Sequence, residues 1–334
     1  MLKFTQDQQD FIIGNRRAFN DRQRGLAEAH GIANGRGLVG NAAALPRDVW
    51  GEWDREAVEI QREVLAVFDD LSSSVSTPMP IGKLVHHFQR QSDSGSVNIS
   101  LDGRSKARTD QQVTDYKATP LPIINSTFSY SWRQVAAAQA EGFQLDAGGR
   151  ANAMYNVAEN LETIAISGDD SIVVGGDRLY GLTTHPKRNT RTTGQTLNGA
   201  TGAQWLAEVN ATLKLLHDKN FRVPVTLYVN WDDWYYAGNT DFSTQYPNKT
   251  IAQRIREMDG VAAVVPASKL AANSLVGVVK NRRTVQVLIG MPMATRTQFR
   301  ANPEDDYTFV TMAAAALEIK YDYKDQCGIA HSAL

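Results

Sequence analysis

Cysteine is almost missing from this chain: Cys327 stands alone among 334 residues. A single thiol closes no intrachain disulfide, which excludes a disulfide-stapled secreted scaffold and leaves Cys327 as a small apolar filler or inert thiol. Long apolar runs are missing too. Nothing approaches the ~18 consecutive apolar residues of a membrane span. The opening MLKFTQDQQDFIIGNRR has only Phe11–Ile13 where a secretion signal needs an apolar core, so the protein is expected to be made and used in a cytoplasm. Charge of one sign is equally lacking. Thirty-five Lys and Arg face 36 Asp and Glu, for a formal net charge of −1, so no global basic field exists to drive tight nucleic-acid binding. There is no G-x-G-x-x-G after a strand, no G-x-x-x-x-G-K-[ST], no G-x-S-x-G and no H-E-x-x-H. No catalytic residue, cofactor or metal is therefore expected.

What remains is an ordinary folding composition, 42% hydrophobic and 21% charged. Residues 1–45 begin with Phe4, Phe11, Ile12 and Phe19 about a heptad apart, which predicts a short amphipathic helix. A Gly- and Ala-rich stretch from Gly25 to Leu45 follows and reads as an extended arm. Pro46 and Asp48 then open a helix whose apolar spacing, from Val49 through Trp53 and Ile60 to Phe68, carries it to about Leu71 before SSSVSTPMP breaks it.

Residues 81–132 read as a two-stranded ribbon. Ile81–Gln89 and the alternating Val97, Ile99 and Leu101 lead out to the polar tip DGRSKARTDQQ, and Pro120–Ile124 with Thr127–Trp132 lead back. An exposed ribbon of two strands is marginal alone and calls for a neighbouring subunit. Ala151, Met154, Val157, Ala158, Leu161, Ile164 and Ala165 then mark a strongly periodic helix that ends at Ser167-Gly168. A turn-rich passage, GDDSIVVGGDRLYGLTTHP, and a polar connection reach about residue 202. Beyond it the texture is α/β. Helices are expected at Trp205–Leu216, Trp231–Tyr236 and Ile251–Met258, and strands at Pro224–Val229 and Val261–Val265. A hairpin of Leu275–Val279 with Val285–Ile289 turns at Asn281, and one long strand runs over Tyr307–Tyr323.

Local chemistry is sparse. His86 and His87 are adjacent on a strand, so they point to opposite faces and do not share a metal. Asp69-Asp70, Asp169-Asp170, Asp232-Asp233 and Asp305-Asp306 fall at helix ends or turns, where aspartate caps main-chain N–H groups. The ribbon tip is basic, with Arg104, Lys106 and Arg108 between Asp102 and Asp110.

The order of these elements resembles the Hong Kong 97-like capsid fold of tailed-phage major capsid proteins and of encapsulin compartments. LPRDVWGEWDREAVEI, PLPIINSTFSYSWRQV, AENLETIAISG followed by GDRLYGLTTHP, and RVPVTLYVNWDDWYYA are similar to segments of the encapsulin-like branch, over roughly residues 45–330. The resemblance implies an α+β fold with an N-terminal arm (1–45), an N-terminal helix and connection (46–80) and a β-ribbon extension loop with flanking strands (81–132). A peripheral domain with a spine helix (133–202), an α/β axial domain (203–300) and a return strand with the C-terminus (301–334) complete it.

It also implies a subunit that self-assembles into pentamers and hexamers of an icosahedral shell in a virion, put together in the host cytoplasm. The inter-subunit contact residues it points to are Phe4, Phe11, Arg16 and Arg17 in the arm and Arg104, Lys106 and Arg108 at the tip. Some relatives form a Lys–Asn isopeptide crosslink between subunits, for which Lys106 would be the candidate. Other expected partners are separate scaffolding, decoration and portal proteins, and packaged double-stranded DNA held by weak non-specific contact. The 45-residue arm favours a phage head over an encapsulin-like compartment holding a cargo enzyme. An α/β enzyme with a ribbon arm, or a tail or decoration protein, are the readings from other classes.

Overall fold

A computed structural model describes residues 5–29, 65–95, 97, 99, 101, 111–141, 146–245 and 248–334. The chain divides into two compact units, Met1–Glu59 and Ile60–Leu334. In the first, helix α1 spans Gln6–Ala29 with Asp7 in its first turn, where a carboxylate complements the helix dipole. It continues through Gly25 instead of giving way to an extended arm there. The cost of one interior glycine, about 1 kcal/mol, is offset by the helix formers Leu26, Ala27, Glu28 and Ala29 around it.

The second unit holds two sheets. One is four-stranded in the order β1-β11-β12-β4, where β1 is Ser76–Pro78, β4 Ile123–Tyr130, β11 Val285–Thr297 and β12 Tyr307–Ile319. After β4 come helix α3 (Trp132–Glu141) and helix α4 (Asp146–Ile166), and α4 lies along the sheet. The alanine run of β12 explains the fit: Ala313 and Ala315 pack against Val157 and Leu161, and such short side chains leave room for a helix. Helix α2 (Val67–Val75) packs against both α4 and β11.

The other sheet is five-stranded, β7-β13-β10-β8-β9, with β7 at Asn189–Thr192, β8 at Val225–Asn230, β9 at Val261–Ala267, β10 at Leu275–Val278 and β13 at Ile329–Ala333. Every residue of β8 is buried, as a central strand covered on both faces requires. Helix α5 (Gly202–His217) buries Trp205, Val209, Leu213 and Leu216 in one core with β8, and α6 (Trp231–Asn239) and α7 (Ile251–Arg256) complete it. Capping boxes Thr201/Gln204 and Thr250/Gln253 start α5 and α7. A further core joins both sheets and takes in Cys327, which is fully buried and whose thiol pKa is pushed up to about 12 by desolvation.

Several expectations are corrected. The helix expected over 46–71 does not include Leu65 and Ala66, which lie outside any helix; α2 begins at Val67 and runs through the serines to Val75, and residues 46–64 lie outside the described residues. The serine hydroxyls are satisfied inside the helix by donation to the Asp69 and Asp70 carbonyls. The 275–289 hairpin does not form. Strand β10 is already flanked by β8 and β13, so after the turn at Asn281 the chain crosses to the four-stranded sheet as β11. The turn-rich 168–180 passage is a hairpin, β5 (Gly168–Val174) with β6 (Asp177–Tyr180), whose turn glycines Gly175 and Gly176 both have positive φ. The last long strand stops at Ile319, and the chain ends instead as β13.

Candidate functional site

The ribbon consists of β2 (Val85–Gln91) and β3 (Thr114–Pro120), antiparallel in the register Val85↔Pro120 to Gln91↔Thr114. Neither strand joins a further sheet. Phe88 is its buried aromatic anchor, edge-on to Tyr321 at 6.1 Å, while Val113 and Tyr116 are exposed. Outside the pairing, Val97 and Ile99 are each 93% exposed and Leu101 fully so. Their period-2 alternation predicts a strand, but none of the three is in one. Apolar residues this exposed bury nothing against the described part of the subunit.

The base of the ribbon, in contrast, is firmly held. His86 Nδ1 lies 2.7 Å from Oε1 of the fully buried Glu318, which also accepts from the Gln286 amide. Arg90 pairs with Asp115 across the ribbon, lies 3.6 Å from Asp325 and stacks over Tyr321 at 4.7 Å. The Arg90 hydrogen bond holds the Asp115 carboxyl below its ordinary range. Lys324 pairs with Asp93 at 3.1 Å. The ribbon is thus tied to the end of β12 and the segment that follows it, more than 200 residues away in sequence. Sequence reasoning missed Arg90, Glu318, Tyr321 and Lys324, because pairs at such separation leave no spacing signal.

A second local design fixes the end of α4. Its last carbonyls are capped from the segment after β6: Leu182 N–H donates to Ala165 O, Thr183 N–H and Oγ1–H to Ile166 O, and Thr184 Oγ1–H to Ser167 O. These bonds join the TIAISG segment to the LYGLTTHP segment.

The expected contact residues divide accordingly. Phe11, Arg16 and Arg17 are exposed on α1, Phe11 at 71%. Phe4, Arg104, Lys106 and Arg108 lie outside the described residues. His86 and His87 fall on adjacent positions of β2, with His86 held by Glu318 and His87 exposed. Asp169, Asp233 and Asp305 accept main-chain N–H groups of Ser171, Asn273 and Asn302. Asp70 departs from the capping expectation: its carboxylate accepts from the Tyr228 hydroxyl at 2.7 Å and pairs with the Lys280 ammonium at 2.5 Å. His331 Nε2 lies 3.1 Å from Ser274 Oγ, but Ser274 is fully buried and His331 Nδ1 faces Arg188, so no carboxylate orients the ring as a base. Among the described residues no His, Cys, Asp and Glu group is placed to hold a metal, and no helix is long and apolar enough to cross a membrane.

Residues 41–332 match a family described as "Family of unknown function (DUF6260)". The chain belongs to this family. No curated protein sequence matches it. Solved structures with the same fold include the capsid of Myoviridae phage XM1, at TM-score 0.69 and 11% identity, covering 84% of this chain and 96% of that one. The capsid of a native GTA particle is similar at 0.58 and 14%, covering 88% and 98%. The virus-like particle of Pyrococcus furiosus gives 0.52 and 12%, covering 78% and 91%. This member of the family therefore has the α+β Hong Kong 97-like fold.

Proposed function

We propose that the protein is the major capsid subunit of a tailed bacteriophage, assembling into pentamers and hexamers of an icosahedral shell around the genome and catalysing nothing. The observation that carries this reading is the ribbon, pinned at its base by Arg90, His86 and Phe88 yet presenting Val97, Ile99 and Leu101 to solvent. Apolar residues on a protruding element bury their surface only against another molecule. A closed shell supplies an identical neighbour at every position.

In this reading the four-stranded sheet with α4 is the peripheral domain, α4 its spine, and the five-stranded sheet the axial domain. Helix α1, with Phe11, Arg16 and Arg17 exposed, belongs to the arm that ties subunits together. Arg104, Lys106 and Arg108 act as an electrostatic clasp on an acidic patch of the neighbour. The balanced charge suits an inner wall that holds packaged DNA only weakly. Scaffolding, decoration and portal proteins are its further partners. The virion is its location, after assembly in the host cytoplasm.

The likeness to the Pyrococcus furiosus virus-like particle keeps a second reading, a compartment that encloses a cargo enzyme. The N-terminal arm favours the phage head. Removal of residues 1–40, or of 102–112, is expected to leave a folded subunit that closes no stable shells. Normal-sized shells from both deletions, seen by electron microscopy, would overturn the assignment of arm and ribbon.

A further inference from the structure

Between ribbon strand β3 and the β5–β6 hairpin lies a cavity of about 140 Å³, walled among others by Lys117, Thr119, Asp177, Arg178, His185 and Tyr321. Among the described residues that line it, Asp177 is the one carboxylate, against the two cations Lys117 and Arg178. Neither cation has an ion-pair partner among the described residues. The buried residues of the wall are His185 and Thr119 together with apolar Phe88, Leu317 and Ile319. The Lys187 main-chain N–H donates to His185 Nδ1 at 3.2 Å, which leaves the proton of the neutral ring on Nε2. Burial, helped by Arg188 and Lys187, pushes the His185 imidazolium down to about 4, so the ring is neutral near pH 7.

Among the described residues, the sealed side-chain polar atoms without a partner are Arg90 Nε and Thr193 Oγ1. Among the described residues the His185 Nε2–H and the Thr119 hydroxyl also have no protein partner, they are not sealed, and both residues line the cavity. Unused donors beside two unpaired cations, in a partly enclosed recess, are complementary to an anion.

We propose that this cavity binds a small oxyanion, a phosphate or a carboxylate group. Lys117 and Arg178 supply charge, and His185 and Thr119 fix orientation. A bound anion bridges β3 to β6 and so couples the ribbon to the hairpin beside it. Two sources carry this chemistry: free phosphate, and an Asp or Glu side chain of a second copy.

The test is thermal unfolding of the dissociated full-length chain in inorganic phosphate against chloride at equal ionic strength. Lys117→Ala and Arg178→Ala serve as comparisons, since neither side chain is buried. Wild type is expected to show a saturating rise in Tm of roughly 2–4 °C. Both variants should melt like wild type in chloride and lose the rise. No rise in wild type, or an equal rise in all three proteins as general salting by phosphate gives, overturns the proposal.

Repeating the titration on assembled particles, an arm that rests on the shell reading, separates the sources. A rise in both forms identifies a free ion. A rise in dissociated chains alone identifies a carboxylate of a second copy, already seated in the particle.

Discussion

The carboxylate of Glu162, fully buried on α4, accepts the main-chain N–H of Val67 at 3.0 Å across 95 residues of sequence. It also accepts from Ala66 at 3.2 Å and Phe68 at 2.8 Å. The N-cap of α2 is Ala66, which has no side-chain acceptor, so a residue of another helix does the capping. Glu162→Ala strands these donors in the core and is expected to cost about 3 kcal/mol. Glu162→Gln keeps one acceptor oxygen and should cost about half that. Urea unfolding of the two variants checks the order; an alanine variant within about 0.5 kcal/mol of wild type would refute the capping role.

Gly181 passes so close to the end of α4 that an added Cβ would meet Gly168 N and Ile166 O, both at 2.5 Å. These are main-chain atoms and cannot swing aside. Gly181→Ala is expected to destabilise by more than about 2 kcal/mol. Gly82→Ala, with nothing within 4 Å, is the control and should be near neutral. The same urea series compares them.

At the ribbon base, Arg90→Ala removes a half-sheltered ion-pair cluster and its stacking on Tyr321, whereas Lys324→Ala removes only an exposed pair. Arg90→Ala should accelerate amide exchange throughout β2 and leave β8 unchanged. Lys324→Ala should do little, since exposed pairs contribute about 0–1 kcal/mol. Hydrogen-exchange mass spectrometry reads both strands at once.

Burial lowers His185 from 6.5 to about 4, and His331 shifts in the same direction, also by burial. Between those pH values the unfolded chain binds more protons than the folded one, so stability falls as pH falls through this window. His185 alone accounts for about 2 kcal/mol lost between pH 7.5 and 5. Its effect precedes that of Asp115 and Asp305, whose lowered carboxyls contribute stability that is lost only at more acidic pH. Denaturant unfolding at pH 7.5 and 5 should show a smaller loss for His185→Gln than for wild type.

The elements with strong local signals were legible in the sequence. The period of Val157, Leu161 and Ile164 marked α4, and the run of β-branched, apolar and aromatic residues over 225–229 marked β8. What the sequence concealed was partnership. Pairing by adjacency failed at Leu275–Val279 because β10 has both edges taken by distant strands. The alternation of Val97, Ile99 and Leu101 is real, yet none of the three lies in a strand of the subunit. Glu162 carries no signal in the sequence, since its partner Val67 lies 95 positions upstream. The tip cations could be named from the sequence alone, while the clasp of Arg90 needed the fold.

Shell formation is the central claim, and negative-stain electron microscopy of the protein expressed alone tests it most directly. Uniform hollow icosahedral particles, on the order of tens of nanometres across, are the expected product of closed symmetric assembly. A protein that stays a small monomer at high concentration would contradict it.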